Sequence, residues 1–376
     1  MLLVQEYLGS GKSLSDLENE LGISASYHPT LPLIILNYSQ LDSPKTHPIV
    51  RECRSLILEL TSWKIVSRSF FRFFNLGEAL EITQKFNWAN YRTYEKVDGS
   101  LCHLFYYERA WHMATRSTFG QLKMNEEEFT WGELFWKAMG DAKNNVDRLD
   151  KEFSYILELC SPYNQVVTYH PEPKVFLLDV VYKSHYHFFY NRDIDIHIQC
   201  VNTIANKLGV SRPKIYNLND KKPEELNGIV DAFANQDEGI VCQDDKGERI
   251  KVKNKGWFAL AQLSNNNSFY YKDLYDLVIK GDSAEVCLYY PLAKKKCELL
   301  EETIHHTIEK LEIVWALIKH IEVQKDFALT LFKYNPPLAW VLFECRRHKA
   351  KIADFFKPDS SYYEKVKKGI LETING

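Results

Sequence analysis

The sequence predicts an α+β fold: antiparallel sheets with flanking helices over residues 1–263, then an all-α segment over residues 264–376. Three observations carry this expectation. Between Ile34 and Leu263 short apolar runs alternate with polar turns, the texture of paired strands. Ser264-Asn265-Asn266-Asn267-Ser268 interrupts the chain with a polar break. Beyond it Ile304, Ile308, Leu311, Trp315 and Ile318 recur at helical spacing and form one apolar stripe.

The elements follow in order. Gly9-Ser10-Gly11-Lys12-Ser13 has the look of a phosphate-cradling loop, but that pattern needs a glycine where Glu6 stands. It reads instead as a solvated turn capping a helix over Leu14–Leu21. Strands are expected at Ser55–Leu60, Leu101–Tyr107, Val175–Tyr182 and Gly239–Cys242, with a hairpin around Asp244-Asp245-Lys246-Gly247. Helices are expected near Glu126–Ala142 and Asp195–Leu208, the second carrying Ile198, Val201, Ala205 and Leu208 on one face. Pro336-Pro337 ends a following helix or marks a turn, and Leu338–Phe356 reads as helical again.

A chain of 376 residues is long enough for two domains. Hydrophobic residues at 45% and charged residues at 26% suit a soluble globular protein. A net charge of −3 excludes a uniformly basic nucleic-acid coat but leaves room for a local basic groove. No apolar run is long enough to span a bilayer, Leu31–Leu36 being far too short, and no secretory leader is visible at the N-terminus. None of the eight cysteines lies in a C-x-x-C pair, so they read as reduced thiols rather than a zinc or redox site. A cytoplasmic protein with no membrane partner is expected.

Candidate chemistry centres on Lys96, in Glu95-Lys96-Val97-Asp98-Gly99-Ser100, a tight turn between two β-prone runs. A lysine amine attacks phosphorus only when deprotonated, and both burial and neighbouring cations lower its pKa. Gly99 permits close backbone approach to a ligand. The plain alternative is a hairpin turn with an exposed lysine. Lys251-Val252-Lys253 places two lysines on one strand face. Either that face is solvated, or an anion such as a nucleoside triphosphate offsets the repulsion. Beside Lys96, the pair is expected to depress its pKa.

Glu158, inside Tyr155–Cys160, and Glu238, ahead of Gly239-Ile240-Val241, are carboxylates in strand settings. Such groups are costly there unless paired, hydrogen-bonded or metal-bound; the alternative is a strand-edge side chain turned to solvent. Magnesium takes one or two protein carboxylates plus waters and phosphate oxygens. Arg54, Arg68 and Arg72 interleave with Phe70, Phe71, Phe73 and Phe74, a pattern suited to phosphate contact with base stacking, although such phenylalanines also build cores. Arg346-Arg347-His348-Lys349-Ala350-Lys351 reads either as an RNA-phosphate contact or as an exposed helix face. His305-His306 reads as helix surface.

The ordered motifs K-V-D-G-S, L-E-L-C-S-P-Y-N, V-F-L-L-D-V, D-E-G-I-V and K-V-K resemble those of the covalent nucleotidyltransferases, the superfamily of ATP-dependent ligases and mRNA capping enzymes. Upstream, R-E-C-R-S-L-I-L-E and R-F-F-N-L narrow the resemblance to the ATP-dependent RNA ligases typified by phage RNA ligase 1, over residues 34–263. The resemblance implies an adenylyltransferase domain over residues 1–263, and a helical domain over 264–376 for which RNA binding is one candidate role. It implies that Lys96 attacks the α-phosphorus of ATP, that AMP passes to an RNA 5′-phosphate, and that an RNA 3′-hydroxyl displaces it. Lys251 and Lys253 would contact the ATP phosphates and Arg54 a phosphate. Glu158 would hold the ribose, and Glu238 a metal or its water. Gly99, Tyr38 and Phe74 would belong to the nucleotide pocket. ATP and Mg²⁺, with Mn²⁺ as a substitute, are the implied cofactors. The implied partners are RNA ends carrying 5′-phosphate and 3′-hydroxyl, tRNA among the candidates, as in RNA repair. A separate kinase and phosphatase would have to prepare such ends.

This chain departs from the family pattern at several positions. Arg72 and Arg116 stand where the family has lysines, Ser55 where it has glycine, and Trp257-Phe258 replaces an aromatic pair one residue nearer the K-V-K strand. A family metal-ligand aspartate falls near Ala284, with Glu285 or Asp282 as substitutes. Three other readings stay open: a DNA ligase, another covalent nucleotidyltransferase such as a capping enzyme, and a catalytically inactive RNA-binding relative.

Overall fold

Alternating apolar side chains build three sheets in the first of two units, Met1–Ala261, of the computed structural model. The described residues are 1–39, 42–124, 127–183, 193–264, 269–280, 283, 287, 293–358 and 360–375. Residues 265–268 of the expected polar break, and Asp282, Ala284 and Glu285, lie outside them. The first sheet is an antiparallel meander of β1 (Ile23–Tyr27), β2 (Leu33–Tyr38), β3 (Arg54–Glu59) and β4 (Ile65–Ser67). Two further groups of strands follow along the chain: β5 (Phe74–Asn75), β6 (Tyr91–Glu95), β7 (Ser100–Tyr107), β8 (Ala110–Thr115), β9 (Phe153–Cys160), β10 (Lys174–Tyr182), β11 (Ile215–Tyr216), β12 (Gly239–Asp244) and β13 (Arg249–Lys253). They form one sheet in the order β10-β9-β7-β8 and another in the order β11-β6-β12-β13-β5.

Burial explains the pairing. On β9, Tyr155, Leu157 and Leu159 join a core with Leu104, Phe135, Val201 and Leu208. That core is covered by the helices Trp131–Met139 and Ile194–Leu208. Alternation turns Ile156 and Glu158 to the other face. The strand is therefore buried almost throughout, and a carboxylate on it has no open solvent to face. Helix Pro223–Asp231 buries Leu226 and Val230 against Ile240, Cys242, Ile250 and Val252, which leaves Lys251 and Lys253 on the opposite face of β13.

Several expectations need correction. Among the described strands one pair is parallel: β5 runs alongside β13, with Phe74 opposite Ile250 and Asn75 opposite Lys251. The helix expected over Glu126–Ala142 is shorter, Trp131–Met139, because Thr130 and Glu133 form a capping box and Gly140 ends it at positive φ; residues 125–126 lie outside the described set. Leu338–Phe356 is not one helix. Trp340–His348 stops where Lys349 turns left-handed, and a 3₁₀ turn follows at Ile352–Phe356. The expected Leu14–Leu21 helix is present with Ser13 as its cap, and Lys12 pairs with Glu20 at 2.6 Å.

In the second unit, Gln262–Gly376, every described element is helical. Its long helix, Lys294–Ile318, buries Leu300, Ile304, Leu311, Val314 and Ile318, so Ile308 and Trp315 flank the stripe rather than centre it. Arg346 donates to Ile321 O at 2.6 Å and to Glu322 O, and lies 4.6 Å from the Phe327 ring centroid. That arginine therefore fixes a loop and is not a free phosphate contact. Among the described residues no helix is long and apolar enough to cross a membrane.

The backbone at Ser55 shows why a glycine would suit this position. A bulge between β2 and β3 puts Ser55 at φ 61°, in the left-handed region, where a β-carbon costs about 1–2 kcal/mol. Its hydroxyl donates to Thr115 O at 3.1 Å, which offsets about 1 kcal/mol. Ser55→Gly should therefore leave unfolding stability within about 1 kcal/mol of the parent. Ser55→Val keeps the strain and loses the hydrogen bond. It should cost about 2–3 kcal/mol in urea denaturation.

Candidate active site

Strand register brings the distant motifs together. Lys96 follows β6 directly and its N–H donates to Gly239 O at 2.9 Å, while Gly239 is paired with Lys253 across β12 and β13. Lys96, Glu238 and Lys253 thus come from three adjacent strand ends. Lys96 Nζ donates to Glu238 Oε2 at 2.7 Å, and Lys253 Nζ lies 3.1 Å from Glu238 Oε1. The other sheet supplies Glu158 through the pairing of Leu101 with Glu158. Gly99 is obligatory for packing: a β-carbon there would sit 2.5 Å from Leu159 O and 2.9 Å from Cys160 Sγ. The close approach expected for a ligand is made by the protein's own β9.

The expected effect of the lysine pair on Lys96 is overturned. Burial pushes the Lys96 amine down, but Glu238, Glu158 and Asp98 together hold it above the ordinary lysine value. Lys253 shares Glu238 with Lys96, so its charge is largely offset. Lys251 is the depressed lysine, at about 8, through burial and the nearby charges of Lys96, Lys253 and Arg54. Burial raises the Glu158 carboxyl to about 8, against the pull of Lys96 and Arg54 and aided by Glu238. At neutral pH it is mainly a neutral acid, able both to donate and to accept a hydrogen bond.

A second group of side chains lies along the β5 docking segment. Leu76 N donates to Lys251 O at 2.9 Å, which ties the Arg72–Asn75 run to β13. Arg72 lies 4.3 Å from the Phe74 ring and 5.3 Å from the Tyr38 ring. Arg116 lies 4.8 Å from the same tyrosine, and its Nε donates to Asn37 Oδ1 at 3.3 Å. Arg54 donates to Ser69 Oγ at 3.2 Å and lies over Phe73 and Phe70; burial, with Arg116 and Arg249 nearby, lowers it to about 10 despite Tyr38 and Glu158, so it stays charged. Arg72 is 6% exposed, and its Nε and Nη1 are buried with no hydrogen-bond partner among the described residues. Its Nη2 reaches Glu78 only at 3.4 Å. A buried guanidinium left so incompletely satisfied is costly unless an anion completes it. The core reading holds for Phe70 and Phe74, which are buried, and each faces an arginine.

Sequence reasoning missed two organising carboxylates. Asp98 Oδ2 accepts from Val167 N at 2.9 Å, Thr168 N at 2.7 Å and Trp257 Nε1 at 3.0 Å. The Trp257 ring lies 4.4 Å from Lys253 Nζ. Asp179 is fully buried between His197, at 2.9 Å, and Arg249, which lies against Phe70. Both aspartates stood in motifs already quoted, and the signal for Asp179 was a charge in an otherwise apolar strand. Glu238 and Glu158 are the carboxylates beside Lys96. No group of three or more potential metal ligands gathers among the described residues.

Residues 52–276, more than half of the chain, match the model of the family described as RNA ligase, and the chain belongs to that family. It is 30% identical over 190 residues to a protein of Autographa californica nuclear polyhedrosis virus provisionally named a bifunctional polynucleotide kinase/RNA ligase, covering 46% of this chain and 27% of that one. It is 28% identical over 160 residues to the RNA ligase of Rhodothermus phage RM378, covering 34% of this chain and 36% of that one. The matched stretches thus span well under half of these relatives. Naegleria gruberi RNA ligase with PPi has a TM-score of 0.38 at 14% identity, covering 50% of this chain and 56% of that one, a likeness too slight to bear weight.

The raised Glu158 value has a consequence for stability. Its folded-state value, about 8, lies above the ordinary 4.5, so its contribution is fully present below pH 4.5 and is lost as pH rises towards 8. Glu158→Gln removes this loss. Urea denaturation at pH 5 and pH 8.5 should show the variant gaining on the parent by about 4 kcal/mol over that interval.

Proposed function

We propose that this chain is an ATP-dependent RNA ligase that joins RNA 5′-phosphate and 3′-hydroxyl ends through a lysyl-AMP on Lys96. The observation that carries the proposal is Glu238, gripped at once by Lys96 and Lys253 at the meeting point of three strands. In the first step an N–P bond forms between Lys96 Nζ and the α-phosphorus of ATP. The bond to the pyrophosphate oxygen breaks, and the amine proton leaves through the Glu238 carboxylate that already accepts it. In the second step an RNA 5′-phosphate oxygen displaces the lysine, which regains a proton. In the third an RNA 3′-hydroxyl attacks that phosphate, loses its proton, and AMP departs.

The residues fit a triphosphate. Lys251 would meet phosphate as a cation below about pH 8, and Arg72 has two buried nitrogens in need of an acceptor. Glu158, as a neutral acid, suits a ribose hydroxyl better than a metal. Glu238 fits the sparse carboxylate set that hydrated Mg²⁺ prefers; bound there, Mg²⁺ would draw charge from the phosphates. Glu238 would have to release a lysine to bind it, which would also lower the Lys96 pKa. Tyr38, Arg54, Phe74 and Arg116 belong to the phosphate side. The viral relative's name pairs ligation with a kinase, which supports a role in RNA repair. Eight cysteines without disulfides support a cytosolic setting.

Wild-type protein incubated with α-labelled ATP and Mg²⁺ should retain label after denaturation. Lys96→Ala and Lys96→Arg should retain none, because an arginine cannot supply a neutral nucleophile. Unlabelled wild-type protein would refute the reaction. Stronger joining of 5′-phosphorylated DNA than RNA would refute the substrate. Lys251 is charged below about pH 8 and loses phosphate affinity above it. The KM for ATP in the labelling step should therefore rise between pH 7 and pH 9, and Lys251→Arg should flatten that rise.

A further inference from the structure

The segment from Ser161 to His170 is anchored more deeply than a surface connection needs. Asn164 Nδ2 donates to Ser100 Oγ at 2.9 Å and to Leu159 O at 2.7 Å. Val167 N and Thr168 N both donate to Asp98 Oδ2, Thr168 Oγ1 donates to Gln236 O at 2.7 Å, and His170 Nε2 lies 3.2 Å from Asp98 O. These bonds grip the Lys96–Ser100 turn on both sides, together with the run that leads into Glu238. Loops are ordinarily among the more mobile parts of a fold, and this one is held by six hydrogen bonds from four of its residues. Yet it leaves Tyr163 39% and Tyr169 43% exposed. Tyr163 is braced edge-on by Phe129 at 4.9 Å. Two exposed rings, carried on a segment pinned to the turn that holds Lys96, have the chemistry that receives unpaired bases by stacking, whatever the base.

We propose that Tyr169 and Tyr163 form a stacking platform for the terminal bases of the RNA strand whose 5′-phosphate accepts AMP from Lys96. The proposal rests on the reading of Lys96 as the AMP carrier. The 5′-phosphate strand is the occupant because only that strand must reach the phosphorus while AMP is still on the lysine. Both tyrosines lie outside the set of residues placed around ATP, so the platform serves the RNA step.

The test is the Kd of a fluorescent, 5′-phosphorylated single-stranded RNA, read by anisotropy at one fixed salt concentration. Tyr169→Ala should weaken binding about tenfold and Tyr163→Ala/Tyr169→Ala further, equally for adenine and uracil tracts. Tyr169→Trp should stay near the parent, since it keeps a stacking face. The ratio of AMP transfer to lysyl-AMP formation, measured on the same preparations, should fall in step with the loss of binding. Unchanged Kd in the double variant overturns the platform, and so does a loss in Tyr169→Ala that Tyr169→Trp does not recover. Failure of wild-type protein to take label from ATP is a separate result: it removes the ligase reading and leaves the binding comparison intact.

Discussion

One carboxylate organises the site. Glu238 is 6% exposed and lies between two ammonium groups, Lys96 at 2.7 Å and Lys253 at 3.1 Å. Removing one partner of a buried ion pair costs about 3–5 kcal/mol, because the other charge is left without compensation. Here two cations depend on one anion. Their positions, and hence the closure of β6, β12 and β13 at this end, follow from it. The same contact sets the reactivity of Lys96. While Glu238 holds it, the amine is stabilised as an ammonium, so on the proposed reading anything that draws Glu238 away would also release the nucleophile. In the proposed reaction, storage and activation of Lys96 would be two states of this single interaction.

Around this centre the cations fall into two electrostatic classes. Lys96 and Lys253 are compensated by carboxylate. Lys251, Arg54 and Arg72 are buried against aromatic faces, a weaker compensation than a carboxylate, and Arg72 keeps two buried nitrogens without a hydrogen-bond partner among the described residues. In the proposed reaction the contrast would give the site a direction, with the nucleophile at the carboxylate end and phosphate along the arginines. The parallel pairing of β5 with β13 creates that geometry, since it lays the Arg72–Asn75 run beside Lys251. Asp98 and Asp179 act at one remove, fixing backbone and arginines rather than meeting a ligand. Burial raises the Asp98 carboxyl despite its three donors, so its position is held at some electrostatic cost.

Much of the architecture was legible beforehand. The α+β unit, the helical unit, the Asp244–Gly247 hairpin and the shared face of Lys251 and Lys253 all follow from periodicity and turn chemistry, which act over a few residues. The errors have local causes too. Lys349 ends a helix by adopting positive φ, a conformation that helical spacing does not reveal. The Lys96 pKa was misjudged because the nearest charge decides it, and that charge is Glu238, 142 residues away in sequence.

The sequence by itself determined which residues could do phosphoryl chemistry, in what order they occur and on which strand face each lies, because alternation and motif order are one-dimensional properties. It also placed Ser55 where the family has glycine, without showing why. Only the tertiary structure decided who neutralises whom: Glu238 bridging Lys96 and Lys253, Glu158 kept neutral by burial, Arg72 left with buried nitrogens to satisfy, and Asp98 fastening the 161–170 segment beside the Lys96 turn. Coulomb energy and desolvation depend on distance and on access of water. Neither quantity exists until the strands have been brought into register.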